Sequence, residues 1–471
     1  MATDYGYWDM GTGILRTIAK VAGYGIKGGR MLYTRHQIKE DAEQYQAYER
    51  AAKNPPAPFA LQGSIRSGVF FGKHDCRCIR KPQDMDGHVL VIGGTGSGKT
   101  SCIAIPTLRA WGGRVFAIDI KGELYDRTIA YRPDIHIFNP LQACSYGYDP
   151  YYTLKDSRNA AQEAKAIAQA LIPRPPDIKD PFWVESAQNL LTGAILHFYN
   201  EGLSFIDTIK AIQRLPQNSL IEEIAQSNTK ETRYYINNFV GMADKTLSGI
   251  VSELSRNIVT IAADKDLVDA LSRNKIITPA DLENGADVYI QIPEHLLEQW
   301  NPIVTLIVNQ FLSYFEQRRY TDTTPILFLL DEFPRLGRIP AIQNGLATLR
   351  SRKVTLCLVI QNIAQLSAIY GRDNANVILG NCDYKAVLGA SDYDTQRYLS
   401  AMCGLYIKRM ASAGYQAPLP MSVNEGAAEQ FAPIIPEADF GIMNDIVLIN
   451  PLGEDSTFCR VEKEPYYNAW G

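Results

Sequence analysis

The sequence predicts an α/β fold: a P-loop nucleotide-binding domain built on a parallel sheet and interrupted by an inserted all-α domain. Three observations lead there. The apolar run His88-Val89-Leu90-Val91-Ile92 runs directly into Gly93-Gly94-Thr95-Gly96-Ser97-Gly98-Lys99-Thr100, a glycine-rich turn followed by helix-compatible residues. Further strand patterns alternate with helical ones through short connections, as parallel strands require. A second apolar run, Pro325-Ile326-Leu327-Phe328-Leu329-Leu330, ends in Asp331-Glu332. The distance from Lys99 to that pair is far greater than a minimal P-loop core needs, so something else is folded in between.

Composition bounds the rest. A chain of 471 residues with 46% hydrophobic content can bury a large core and suggests two or three structural units. Lys+Arg 47 against Asp+Glu 51 gives a formal charge of −4, which excludes a protein that coats nucleic acid with its whole surface. Any DNA contact is local. Eight cysteines are scattered through apolar segments rather than spaced as a framework, which fits a reducing compartment. His74, Cys76 and Cys78 lack a further ligand at metal spacing, so no metal cluster is expected there. No signal peptide and no run of about 18 apolar residues is present. The nearest candidate, Gly11 to Leu32, is interrupted by Arg16, Lys20, Lys27 and Arg30; it suits an anionic membrane surface, a partner, or a plain packed arm.

In chain order, residues 1–58 read as an N-terminal arm and linker. Within them His36 to Lys53 predicts an exposed helix, closed by the stiff Asn54-Pro55-Pro56-Ala57-Pro58. Residues 59–154 form the first part of the nucleotide-binding domain. Short apolar pieces from Phe59 to Pro82 suggest a hairpin leading into the P-loop strand. The loop's glycines let backbone N–H groups wrap a triphosphate at a helix N-terminus, Lys99 reaches the β/γ-phosphates, and the Thr100 hydroxyl ligates Mg²⁺. Strands are expected at Arg114 to Ile118 and Ile135 to Phe138. Asp119 and Lys121 then fall at the carboxyl end of the sheet, where ligands bind; Asp119 suits capping a turn as well as it suits work on nucleotide.

From 155 to 275 the pattern becomes helical. Ala160, Ala164, Ile167 and Leu171 share one face, and Asp180-Pro181 supplies an N-cap and first-turn proline for the next helix. Further helices are expected at Phe205 to Arg214, Leu220 to Ala225, Glu231 to Met242 and Lys245 to Ala263. The second part of the nucleotide-binding domain occupies 276–471, with a strand at Asp287 to Ile292 and a helix from Pro302 to Arg319. Apolar residues ending in Asp331-Glu332 have the Walker B form: Asp331 holds the Mg²⁺ shell and Glu332 polarises the attacking water. The next strand, Val354 to Ile360, ends in Gln361, an amide placed to sense the γ-phosphate. Arg350, Arg352 and Lys353 just ahead of it form either a solvated rim or, in a ring, a source of an arginine for the neighbouring subunit's nucleotide. The aromatic end Pro465 to Gly471 reads as a packed terminus before a docking peptide.

These residues resemble the type IV secretion coupling proteins of the TraG type, relatives of FtsK-like DNA translocases. The resemblance is carried by GGTGSGKT at Gly93 to Thr100, DIKGELYD at Asp119 to Asp126, LLDEFPRLGRIP at Leu329 to Pro340, LRSRKVTLCLVIQNIAQLSAIYG at Leu349 to Gly371 and ILGNCDYKAVLGASDYDTQRYLS at Ile378 to Ser400. It implies a RecA-like domain bearing the all-α insertion. It also implies a homo-hexameric ATPase ring, using ATP and Mg²⁺, that couples a relaxase–DNA complex and its single-stranded DNA to the channel components of a type IV secretion system. By resemblance, Lys99 and Thr100 bind MgATP, Asp331 and Glu332 are the metal and catalytic acids, Gln361 is the sensor, and Arg352, with Lys385 as a second candidate, acts in trans. The insertion is the face that receives relaxase or protein substrates. Many members begin with two membrane-spanning helices, and this chain has the basic arm in their place. The expectation is therefore a cytoplasmic protein held at the inner face of the membrane by a separate anchor partner. A recruitment platform in which nucleotide sets assembly and no strand is pumped is the alternative; a small-molecule kinase would need a lid and acceptor motif that the sequence lacks.

Overall fold

Short apolar runs, buried on both faces, set the central parallel strands of this chain. The computed structural model describes residues 43–62, 67–155, 158–176, 178–319, 324–415, 423–449 and 458–469. Its strands are β1 (Gly68–His74), β2 (Arg77–Pro82), β3 (Val89–Ile92), β4 (Arg114–Asp119), β5 (Ile135–Phe138), β6 (Asp287–Gln291), β7 (Ile326–Leu330), β8 (Val354–Ile360), β9 (Tyr384–Val387), β10 (Leu405–Tyr415), β11 (Val423–Pro433), β12 (Ile446–Ile449) and β13 (Phe458–Val461). Nine of them form one sheet in the order β13-β12-β9-β3-β8-β7-β4-β6-β5. The pairings from β5 to β9 are parallel, and β12 and β13 close one edge antiparallel. β1 and β2 make the expected hairpin, and β10 and β11 form a separate two-stranded ribbon.

Alternation along each strand divides the core between the two faces of the sheet. Leu90 and Ile92 of β3 join one cluster, with Phe116, Phe328 and the helical layer; Val89 and Val91 join the other, with Phe71, Ile103 and Leu108. Between β5 and β6 every regular element among the described residues is a helix, from Tyr152–Lys155 through Pro279–Asn284. This layer shares one continuous core with the sheet rather than a core of its own. The helix Leu297–Glu316 lies between them. Phe311 packs on Phe116 at 4.8 Å and Phe315 on Phe328 at 5.8 Å, while Gln310 bonds Tyr148 and the Pro150 carbonyl ahead of the insertion. No helix among the described residues is long and apolar enough to cross a membrane.

The α/β reading holds, with corrections at particular elements. The helix read as starting at Pro302 starts at Leu297 and takes Pro302 inside it. The buried Trp300, whose Nε1 donates to Asp264 Oδ2 at 2.8 Å, anchors the extra turn, and the proline there forfeits a single helical hydrogen bond. The helix read from Glu231 to Met242 is shorter, Lys230–Ile236. Strands β9 to β13 were not expected. Residues 1–54 and 55–471 are separate units; in the first, 43–53 form a helix carrying a Lys53–Glu49 ion pair at 2.7 Å. The basic segment Gly11 to Leu32 lies outside the described residues. Tyr466 packs under Arg109, 4.8 Å from guanidinium carbon to ring centre, as a packed terminus would.

One buried ion pair ties β4, β6 and the segment between them. Arg132 makes a two-pronged contact with Asp287 (2.6 and 2.9 Å) and donates to the carbonyls of Leu108, Trp111 and Gly113, while Asp287 accepts the Val115 N–H at 2.8 Å. Removing one partner leaves a buried charge unmatched. Arg132→Ala should therefore lower stability by about 3–5 kcal/mol in urea titration, whereas Arg256→Ala, which breaks an exposed pair with Glu253, should cost less than about 1 kcal/mol.

Candidate nucleotide site

The sheet order places β8 between β3 and β7, and the ladder fixes where each strand stops. Ile92 lies opposite Ile360, and Leu330 opposite Leu358. Gly93, Gln361 and the pair Asp331-Glu332 therefore leave the same edge of the sheet from three neighbouring strands. The Gly93 N–H donates to the Ile360 carbonyl at 3.2 Å, extending the ladder one residue into the loop.

The loop's glycines answer to its geometry. Gly98 sits at φ 98° immediately before the helix, a left-handed conformation that a side chain resists. A Cβ on Gly93 would lie 2.4 Å from Ser97 Oγ. The helix opens with Lys99–Ala104 wound at the wide π pitch, Ile105 N–H reaching back to the Thr100 carbonyl, and continues as Ile105–Ala110. Its first N–H groups have no intrahelical acceptor and face an anion site. Lys99, 7% exposed, donates its Nζ to the carbonyls of Gly93 (2.7 Å) and Gly94 (3.1 Å). Burial lowers its pKa, opposed by the carboxylates of Glu332 and Asp331.

Asp331 is pushed up to about 6, first by burial and then by its neighbour Glu332, against the pull of the Glu332 N–H, which it accepts at 3.0 Å, and of Lys99. Glu332 holds a left-handed backbone, φ 49° and ψ 40°. Its Oε2 accepts a hydrogen bond from Gln361 Nε2 at 3.0 Å. A carboxylate poised near neutrality, a second carboxylate aimed by an amide and a buried ammonium make a cation-and-phosphate site. Ser97 Oγ adds to the fit, since it is buried without a protein partner. Thr100 and Asp331 are too few to cage an ion alone, which matches Mg²⁺, an ion that keeps waters and phosphate oxygens in its shell.

Other sequence candidates sort by position. Asp119 caps a turn: its carboxylate accepts the N–H groups of Leu124 (3.2 Å) and Tyr125 (2.9 Å), and Gln291 Nε2 at 3.4 Å. Lys121, exposed past the end of β4, contributes to the field at Lys99 and Asp331. Arg352 does not join this cluster. It stands at the amino-terminal end of β8, where its Nη1 donates to the Arg318 carbonyl at 2.6 Å; Arg350 pairs with Asp383 at 2.6 Å and Lys353 with Asp86 at 3.7 Å. Lys385 is 2% exposed with its Nζ on the Cys382 carbonyl at 2.7 Å, so it is a core lysine and presents no ammonium at the surface. Tyr370, which no local pattern marks, takes part from a distance by accepting the Ile339 N–H at 3.1 Å and stacking on Phe333.

The model of the family described as type IV secretory system conjugative DNA transfer matches residues 17–445. The chain is 26% identical to protein VirD4 of Rhizobium rhizogenes over 382 residues, covering 77% of this chain and 56% of that protein. It is 23% identical to the conjugal transfer protein TraG of Agrobacterium fabrum, covering 67% and 51%. It thus spans a little over half the length of the curated relatives it matches. The solved bacterial conjugative coupling protein TrwB, lacking its first 70 residues, superposes with a TM-score of 0.68 at 15% identity, covering 86% of this chain and 90% of that one. TrwB in complex with ADP and Mg²⁺ gives 0.68 at 17%, covering 88% and 93%. The fold is the RecA-like P-loop fold of those structures.

The raised pKa of Asp331 has a stability consequence. In the unfolded chain the carboxyl ionises near 4, in the folded protein near 6, so the native state holds the extra proton between those values and stability falls as pH rises through that window. Asp331→Asn removes the term. In urea titration it should be more stable than the parent at pH 7.5, by roughly 1–3 kcal/mol, and equal to it at pH 4.

Proposed function

The chain belongs to the type IV secretory system conjugative DNA transfer family, and on that premise we propose that it is a P-loop ATPase coupling protein. It recruits a relaxase-bound single strand of DNA, or a protein substrate, and uses ATP hydrolysis in a hexameric ring to drive transfer into the channel components of a secretion system. A separate anchor partner would hold it at the membrane. The observation that carries the reading is the convergence of Lys99, Asp331, Glu332 and Gln361 on one strand edge, with Gln361 bonded to Glu332.

ATP and Mg²⁺ are the proposed cofactors, in keeping with TrwB structures holding an ATP analogue and ADP with Mg²⁺. When bound, the ion neutralises charge on the phosphates being separated. Gly93, Gly94, Thr95, Gly96, Ser97 and Gly98 would wrap the phosphates with backbone N–H groups. Lys99 would exchange its two carbonyl partners for phosphate oxygens. Thr100 and Asp331 would hold the metal side, Asp331 being ionised above pH 6 and competent there. Glu332 would orient and deprotonate the attacking water, and Gln361 would set the direction of that carboxylate. Arg352 belongs to this scheme only from another subunit, since its own chain holds it at the opposite end of β8.

Three experiments test the scheme. Glu332→Gln should retain nucleotide affinity while losing about 10²–10⁴-fold in turnover; retained turnover removes Glu332 as the water-activating group. Arg352→Ala should abolish hydrolysis by the assembled protein, and mixing it with Lys99→Ala subunits should restore part of it, because one intact composite site then forms. No recovery would assign Arg352 a structural role at the amino-terminal end of β8, where it bonds Arg318. If single-stranded DNA changes neither hydrolysis nor oligomer size while a relaxase binds tightly, the protein is a recruitment platform and not a motor.

A further inference from the structure

The first turns of the helix Leu297–Glu316 touch the insertion on one side and the loop after Glu332 on the other. The insertion's partner there is Asp264, the residue between the helices Asp244–Ala263 and Lys265–Ala270. Its Oδ1 accepts the Leu267 N–H at 3.1 Å and caps the second of those helices, while its Oδ2 accepts Trp300 Nε1 at 2.8 Å and Gln299 Nε2 at 3.1 Å. Trp300 is 1% exposed, so its N–H loses a partner that water cannot readily replace if the carboxylate withdraws.

The next residue along faces the loop. Asn301 Nδ2 donates to the Arg335 carbonyl at 2.7 Å. One turn further on, Thr305 Oγ1 lies 2.7 Å from the Leu336 carbonyl and 2.9 Å from Asn301 Oδ1. The hydroxyl has one proton for these two acceptors, so Asn301 and Thr305 hold the loop as a pair. Gly337, at φ 72°, passes so close that a Cβ on it would meet Asn301 Oδ1 at 3.0 Å. The Arg335 N–H in turn donates to the Glu332 carbonyl at 2.8 Å. The residue that Asn301 holds is therefore bonded to Glu332 itself, whose left-handed backbone persists only where its surroundings impose it.

We propose that Asn301 and Thr305 are positioning residues for Glu332, and that the turn from Gln299 to Asn301 passes the placement of the insertion to them through Asp264. Trp300 and Asn301 are adjacent residues of one helix, so a shift at Asp264 moves both. The inference rests on the reading of Glu332 as the group that activates water, and adds what sets its aim and which junction of the insertion can change it. None of these residues contributes to the phosphate loop, so the effect falls on turnover and not on nucleotide binding.

The test uses the full chain. Thr305→Val removes the hydroxyl at nearly constant shape. Asn301→Asp removes the donated bond and keeps the oxygen facing Thr305. Asp264→Ser keeps a helix cap but is too short to hold Trp300 and Gln299 as well. Each should lower kcat about ten- to a hundredfold, leave the affinity for a fluorescent ADP analogue as in the parent, and speed amide hydrogen exchange in peptides covering 333–341 of the nucleotide-free protein. Thr305→Ser, which retains the hydroxyl, should restore the parent's kcat and exchange. Since Asp264→Ser and Thr305→Val cut one chain of contacts at two places, the double variant should lose no more than the worse single, where independent sites would add. Urea midpoints near the parent's establish that the variants are folded. Parent-like kcat and loop exchange in Thr305→Val and Asn301→Asp overturn the inference while leaving the function standing, and so does an additive loss in the double variant. Matched losses of kcat and nucleotide affinity also overturn it, because a merely loosened fold damages both. A parent that hydrolyses no ATP, with or without single-stranded DNA, overturns the function and the inference together.

Discussion

The position of β8 between β3 and β7 is the constraint on which the rest depends. Gln361 stands one residue past the end of β8 and Glu332 two past the end of β7, so that half of the site has almost no loop length in which to adjust, while Lys99 returns to it across the six-residue glycine loop that follows β3. Strand register is enforced by the core: a one-residue slip of β8 would turn Leu356 and Leu358 away from the cluster they fill and Cys357 and Val359 away from the other. The 3.0 Å bond between Gln361 and Glu332 is thus set by the cost of mispacking seven buried residues. The same placement explains the raised pKa of Asp331. A carboxylate at the end of an apolar central strand loses water on several sides, and the Glu332 N–H and the ammonium groups of Lys99 and Lys121 compensate in part.

A second dependency runs through the helix Leu297–Glu316. One end supplies Asn301, Thr305 and Asn309 to the loop beyond Glu332, Gln310 engages the segment that enters the insertion, and Trp300 reaches Asp264 between two insertion helices. The buried amides and hydroxyls on this otherwise apolar helix are each satisfied by another element. A displacement of the insertion therefore has a path to the loop after Glu332 that passes through hydrogen bonds as well as packing. The left-handed Glu332 is the point where that path turns. Such a conformation costs a non-glycine residue of order 1 kcal/mol or more and persists only where its surroundings impose it.

What the sequence made legible follows from how locally each feature is determined. The P-loop, the Asp331-Glu332 strand end and the helices at Phe205–Arg214 and Asp244–Ala263 depend on contiguous residues, and their patterns survive folding. β9 escaped notice because Lys385 occupies the middle of a fully buried four-residue strand, masking the apolar run. β10 and β11 carry mixed polar sequences with no sustained alternation, and pair only with each other. Pro302 misled because proline favours a helix start, and only the tertiary bond from Trp300 to Asp264 reveals the earlier turn. In the site, the residue types were legible and their partners were not. Asp119 could serve as cap or ligand by sequence, and only the N–H groups of Leu124 and Tyr125 decide for the cap. Tyr370 has no local signature, since its role exists only where Ile339 comes to meet it.

The two ends of the sheet divide the labour. At the carboxyl end stand the acids, the amide and the lysine; at the amino end Arg318 and Arg352 donate reciprocally to each other's carbonyls at 2.9 and 2.6 Å, while Arg350 is held by Asp383. Lys353 and the seven residues of β8 separate Arg352 from Gln361; the strand alone, at about 3.3 Å per residue, spans roughly 20 Å, well beyond the reach of an arginine side chain. Within one chain this cationic edge is structural. It acquires a catalytic use only if a neighbouring copy brings its nucleotide to it, and Arg352 must then give up its bond to Arg318, leaving that carbonyl to find another donor. The reward is a guanidinium placed where phosphoryl charge develops, and the exchange is worthwhile only in that state. On the proposed function, an arginine held in this way would tie hydrolysis to assembly, because the free chain satisfies it internally and an assembled one would have a better use for it.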